Sequence, residues 1–286
     1  DSLKTYDDTI LIQKLEKAGF THNLNKAKNY LTEAILSSLA EYHTDSLLNA
    51  QLQKLLLRAE ILYKKRMMKM ADRVLLKAEK LALDYDRHDY LMIISSLKTG
   101  TVLEISALDE LHEFVQTGMK KEQTYLEYHQ NSIDYRNLFT EAELINQSPQ
   151  IRSGDNVEKR KLKKLFYHPL LKNSNFALTF SSKKYYYALH YKHSLNENKW
   201  NEKAYRTQME WVEYLEKKSE LLKNLPENYL RALGCLLGAT LQKGKEKEAE
   251  AVFKKAKKFY GSLPKKNLNK SIQSAFARIT ATYMGT

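Results

Sequence analysis

An all-α fold follows from three observations on the amino-acid sequence. The 286 residues include only 9 glycines and 4 prolines, too few punctuating residues for a sandwich or barrel built from many tight turns. No succession of short Val/Ile-rich runs closed by glycine marks an alternation of strands and helices. Apolar residues instead recur at i, i+3 and i+4 over long windows, the pattern of amphipathic helices. With 43% hydrophobic residues, the chain is long and apolar enough to bury a sizeable core.

The elements follow in order. Residues 7–19 read as a helix with acids in its first turn and Gly19 as its stop. A helix over 25–43 carries Ala27, Tyr30, Leu31, Ala34, Ile35 and Leu39 on one face. The next, over 46–67, repeats the pattern from Leu48 to Tyr63. Its partner over 70–86 places Ala71, Val74, Leu75, Ala78 and Leu81 together and ends at the polar cluster 84–89. His88–Leu97 is helical until Thr99-Gly100-Thr101 breaks it. Ser106 and Asp109 form a capping box for a helix ending near Gly118, and one long helix runs from Met119 to Asn146. Residues 147–156, with Pro149 and Gly154, form a long loop or hinge separating 1–146 from 157–286 within a single helical domain. A basic helix over 157–168 is halted by Pro169. Helices at 174–196, 199–223, 227–243, 245–260 and 266–284 complete the chain, with Pro226 suited to a first turn.

Two helix pairs repeat in register. Leu55, Ala59, Leu62, Arg66, Ala71, Leu75 and Ala78 have the same spacing as Leu233, Leu237, Thr240, Gly244, Ala249, Phe253 and Ala256. Small residues in each set let the two helices of a hairpin approach. A single hairpin cannot bury both faces and requires stacked neighbours. This pattern resembles the tetratricopeptide repeat, a helix–turn–helix unit of about 34 residues. The stretch 236–264 resembles it best, with Gly244 at the turn, although Pro264 falls later than the closing proline of the family. Arg66 replaces the turn glycine in the other unit. A third unit around Ala188, Tyr191, Trp200 and Ala204 requires a lengthened turn. The resemblance covers roughly a quarter of the chain.

That resemblance implies a right-handed α-solenoid of antiparallel hairpins, about twelve helices in all, acting as a protein–protein interaction scaffold and not as an enzyme. The groove of such proteins is lined by the first helix of each hairpin. Carried over position by position, the groove candidates are Glu60, Tyr63 and Lys64, then Tyr185, Leu189, Lys192 and His193, then Gly238, Leu241 and Gln242. Glu60, Leu189 and Gly238 stand where some members use asparagine to clamp a peptide carboxylate, so that clamp is not expected. The implied partner is a protein or peptide.

The formal charge is +13, and 37 of the 47 basic residues are lysines. Lysine mixed with glutamate suits solvated helix faces, whereas arginine suits bidentate recognition. The runs at Lys159, Arg160, Lys161, Lys163 and Lys164 and between Lys243 and Lys258 keep a polyanion-binding module (RNA or DNA) as an alternative. A sensor or dimerisation part of a larger regulator is another. No phosphate loop occurs. His112-Glu113 lacks a second histidine, His190 and His193 are two ligands only, and Asp84, Asp86, His88 and Asp89 lack the glycine and glutamate of a calcium loop. The single cysteine, Cys235, reads as a small buried hydrophobe. No catalytic residue, metal or cofactor is therefore expected. Tyr185, Tyr186, Tyr187, Tyr191 and Trp200 are core or stacking anchors. No apolar run reaches membrane length and no signal-peptide pattern opens the chain, which points to the cytoplasm. The chain starts at Asp1 rather than Met, as a fragment of a longer protein does.

Overall fold

Helices form all of the regular structure among the described residues of the computed structural model, which are 17, 19, 24–43, 47–102, 108–148, 156–196, 202–265 and 268–285. Among these residues there are twelve α-helices: α1 (Leu24–His43), α2 (Leu48–Lys64), α3 (Met68–Asp84), α4 (His88–Val102), α5 (Leu108–Gln147), α6 (Asn156–Phe166), α7 (Phe180–Asn196), α8 (Glu202–Glu216), α9 (Ser219–Asn224), α10 (Pro226–Gln242), α11 (Glu246–Ser262) and α12 (Lys270–Met284). Two 3-10 turns, Pro169–Leu171 and Ser174–Phe176, precede α7. The all-α expectation and the helix count hold.

The two units in sequence register close with the same backbone turn. Arg66 (φ 57°) and Gly244 (φ 68°) both occupy the left-handed region. In the first turn the Arg66 N–H donates to Tyr63 O at 2.8 Å and the Met67 N–H to Leu62 O at 2.9 Å. In the other, the Gly244 N–H donates to Leu241 O at 2.8 Å and the Lys245 N–H to Thr240 O at 3.1 Å. This paired closure satisfies the last carbonyls of a helix. Asp86 (φ 57°) makes a third copy between α3 and α4, its N–H donating to Leu83 O and that of Arg87 to Ala82 O. Sequence reading missed this copy, because neither a glycine nor the small-residue register marks it.

Neighbours in sequence are mostly neighbours in space: α2 packs on α3, α3 on α4, α4 on α5, α5 on α7, α7 on α8, α8 on α10, and α10 on both α11 and α12. Two apolar clusters result. One joins Leu52, Leu56, Ala59, Leu75, Ala78, Leu91 and Ile94 of α2–α4. The other runs from Tyr135, Ala142 and Ile145 of α5 to Ile272 and Ile279 of α12. Helix α5 serves both, since Tyr125 packs on the first cluster and Tyr135 lies within the second. At 40 residues it spans about 60 Å. The clusters thus divide partway along α5, ahead of the 147–156 segment.

Several expectations change. Thr99-Gly100-Thr101 does not break α4, which continues to Val102. Gly118 does not stop a helix either, because α5 runs through it. A Cβ at Gly118 would sit 2.7 Å from Thr99 Oγ1, so the glycine serves the close approach of α4 to α5. The helix expected over 174–196 begins only at Phe180. The Asn173 side chain caps a 3-10 turn first, accepting from the Asn175 N–H at 2.9 Å. The stretch 199–223 divides into α8 and α9 around Lys217 and Lys218. The apolar stripe of α1 stays largely exposed, with Tyr30 77% and Leu31 59% accessible. Most of 7–19, Ser106, residues 149–155 and Trp200 lie outside the described residues.

Within the polar cluster 84–89, Asp86 ties the α3–α4 turn to the start of α7. Asp86 Oδ2 accepts from the Ser181 N–H at 2.9 Å and Oδ1 from the Phe180 N–H at 3.4 Å, so a turn of the first half caps the N-terminus of α7. Thr179 Oγ1 accepts from the Ser182 N–H at 3.0 Å, completing that cap locally. The His88 ring, 5.2 Å from that of Tyr128, places Nε2 2.9 Å from Asp86 Oδ1. Asp89 pairs with Arg87.

Candidate functional site

Helix α10 organises the C-terminal half. Leu230, Leu233, Leu236 and Leu237 are at most 2% exposed. Burying a leucine is worth roughly 1.5–3 kcal/mol. The neighbouring face is small, with Gly234, Cys235 and Gly238 within little more than one turn. A Cβ at Gly234 would lie 3.3 Å from Ile279 Cγ1 of α12, and one at Gly238 would lie 2.6 Å from the Tyr191 hydroxyl of α7. The glycines therefore allow α12 and α7 to close on α10 while leaving the space between them unfilled.

That space is a cavity of about 600 Å³ walled by α7, α8, α10 and α12, with Phe139 of α5 at one side. Its floor is aromatic. The Tyr187 and Trp211 rings stack with centroids 5.0 Å apart, Trp211 stacks in turn on Tyr214 at 5.6 Å, and Tyr185 leans on Phe139 at 5.2 Å. Gln208 Nε2 donates to Tyr187 O at 3.3 Å, which holds α8 against α7. Burial pushes the Cys235 thiol up to about 12 and raises the Tyr191 hydroxyl above its ordinary range, so both stay neutral near pH 7.

The charged lining residues are Lys184, Lys192, Arg231 and Arg278; none of the residues around the cavity is Asp or Glu. Lys192 Nζ pairs with Glu143 at 2.6 Å and lies 5.6 Å from the Phe139 ring centroid. Lys184 Nζ stands 4.5 Å from the Tyr185 ring centroid. Arg231 and Arg278 each donate through Nη2 to a serine hydroxyl, Ser271 at 3.2 Å and Ser274 at 3.1 Å.

Of the groove candidates read from sequence, Tyr185 and Lys192 line this cavity. Leu189 does not: it is fully buried in the core, because it lies on the face of α7 turned into the hydrophobic cluster. His193 stacks on Phe166 with ring centroids 4.2 Å apart. Gly238 lies under the Tyr191 hydroxyl. Leu241 is half-buried against the core and Gln242 is exposed at the end of α10. Glu60 and Lys64 are exposed on α2, and the Tyr63 hydroxyl donates to Asp72 Oδ1 at 3.1 Å across its own hairpin. These three are not brought to the cavity. Sequence reading missed Trp211, Gln208, Arg231, Gly234 and Arg278. The Gly234/Gly238 pair at i, i+4 in an apolar helix was the available signal for a close approach.

The basic runs are amphipathic faces. Leu162 and Leu165 of α6 are buried while Lys159, Arg160, Lys163 and Lys164 are exposed. On α11, Lys254 pairs with Glu250 at 2.7 Å and Lys255 with Glu216 at 2.8 Å. His190, one of the histidine pair, places Nε2 3.0 Å from Leu171 O, and burial lowers it to about 4 despite that bond. Among the described residues, no group of three His, Cys, Asp or Glu side chains is arranged to hold a metal ion, and no helix is long and apolar enough to cross a membrane.

No family model matches the chain, and no curated protein or solved structure matches it either.

Proposed function

We propose that the chain is a binding scaffold that holds a peptide segment of a protein partner in the cavity between α7, α8, α10 and α12, without catalysing a reaction on it. The observation that carries this reading is the cavity of about 600 Å³ with an aromatic floor. Its size lies within the ~300–1,000 Å³ of ligand pockets, which are mostly apolar with a few placed polar groups. Rigid aromatic surface of this kind dominates the energetics of peptide recognition. The tetratricopeptide-like register of α10–α11 supports the same reading, since helical repeats present extended concave faces to partners. Among the cavity's possible reactive groups, the thiol of Cys235 is held protonated by burial, which suits a wall rather than a nucleophile.

The test is selection of a random peptide display library on the immobilised protein, with the Thr282→Trp variant for comparison. Thr282 is an exposed rim residue of α12, so the new ring fills the cavity without entering the core. Enriched sequences that bind the wild type and lose at least tenfold in affinity for Thr282→Trp support the reading. Failure to enrich any sequence, or equal binding to both proteins, overturns it.

A further inference from the structure

We infer that the segment this cavity accepts is acidic, with a large apolar side chain flanked by carboxylates; this rests on the peptide-binding reading above. The first ground is the sign of the rim. Four cations and no carboxylate line the cavity. Glu143 answers Lys192. Among the described residues, Lys184, Arg231 and Arg278 have no carboxylate partner: the first stands beside an aromatic ring and the other two donate to neutral serine hydroxyls. Each guanidinium commits one nitrogen in this way and keeps further donors of its planar fork. Like charges around one opening raise the local potential, and an arriving carboxylate relieves it.

The second ground is residue type. Lysine outnumbers arginine 37 to 10 in this chain, yet two of the four rim cations are arginines, from different helices. Guanidinium binds carboxylate in a bidentate geometry that ammonium cannot reproduce. The third ground is the floor. Tyr187 and Trp211, stacked on each other, line the same cavity as Gly234, Cys235 and Ala188, a surface that rewards one inserted ring or branched aliphatic chain. Nucleic acid is the lesser fit, since single strands are tracked along an extended cationic groove with successive stacking platforms, whereas these cations surround one walled cavity.

The experiment is calorimetric titration with four blocked peptides, acetylated and amidated so that only side chains carry charge. They place phenylalanine between runs of glutamate, of glutamine or of lysine, and alanine between runs of glutamate. The glutamate–phenylalanine peptide is expected to bind tightest and to weaken as salt rises. Replacing its phenylalanine with alanine should cost at least about tenfold. The double variant Arg231→Gln/Arg278→Gln should weaken it roughly three- to tenfold, a few-fold for each exposed ion pair, and leave the glutamine peptide unchanged. Both arginines are exposed, so the variant is expected to keep its helices, with circular dichroism as the check. Glutamine or lysine peptides that bind as tightly as the acidic one, and are lost in Thr282→Trp, overturn the acidic inference and leave cavity binding standing. The same follows if display selection enriches peptides without acidic residues. If selection enriches nothing and no probe binds, both fall. A single-stranded oligonucleotide that displaces the acidic peptide at equal stoichiometry, and is weakened by the same double variant, overturns it in favour of nucleic acid.

Discussion

Replacing Asp86 by alanine should uncouple the start of α7 from the α3–α4 turn. Three losses coincide at this position. The Ser181 N–H, 2.9 Å from Asp86 Oδ2, loses its acceptor together with the longer Phe180 contact, worth about 1 kcal/mol for a helix cap. His88 Nε2, 2.9 Å from Oδ1 and with a side chain only 11% exposed, loses its hydrogen-bond partner, another ~1–2 kcal/mol. Alanine at φ 57° also lacks the tolerance of aspartate for the left-handed region, a further ~0.5 kcal/mol. The expected total is about 3 kcal/mol. Asp86→Asn keeps a neutral acceptor and a residue at ease with that φ. It loses only the charge at the helix N-terminus and part of the histidine contact, about 1 kcal/mol. Urea unfolding measures both, as midpoint shifts at constant slope. Hydrogen exchange at the Phe180 and Ser181 amides should accelerate while amides in the middle of α11 stay unchanged. An alanine variant within about 0.5 kcal/mol of wild type, or an asparagine variant as damaged as alanine, would refute the reasoning.

Three further outcomes follow from local geometry. Because burial lowers His190 to about 4 from an unfolded value near 6.5, the unfolded chain binds its proton first. Stability from this site is complete above pH ~6.5 and is lost as pH falls toward 4, by up to about 3 kcal/mol; His190→Gln should flatten that part of a urea-midpoint profile against pH. Gly244→Ala places a Cβ at φ 68° with nothing within 4 Å, so the cost is conformational, about 1 kcal/mol. Arg66→Gly at the equivalent turn should be neutral or stabilising by up to ~0.5 kcal/mol, and thermal melts of the two variants should move in opposite directions. Gly118→Ala brings a Cβ to 2.7 Å from Thr99 Oγ1 and should fail to gain the ~1 kcal/mol of a helical glycine-to-alanine change. Combining it with Thr99→Ala should recover the gain, seen as a coupling in a double-mutant cycle.

Local pattern and long-range contact decided different parts of this protein. Helical periodicity is local, so α2, α3, α10 and α11 were legible to within a few residues. The equivalence of Arg66 and Gly244 was legible too, because the apolar register around each turn is the same. Where propensity and packing diverge, the sequence alone misleads. Gly118 reads as a stop but is a point of contact with Thr99, and Leu189 reads as a groove position but faces the core. Tertiary structure alone brought Asp86 to the amides of Phe180 and Ser181, some 95 positions away in the chain. It likewise gathered Lys184, Arg231 and Arg278 around Tyr187 and Trp211. These residues come from α7, α8, α10 and α12, and their positions depend on how those helices rotate and approach one another. That geometry is set by volumes such as the missing side chains of Gly234 and Gly238, which a one-dimensional pattern of apolar residues does not encode.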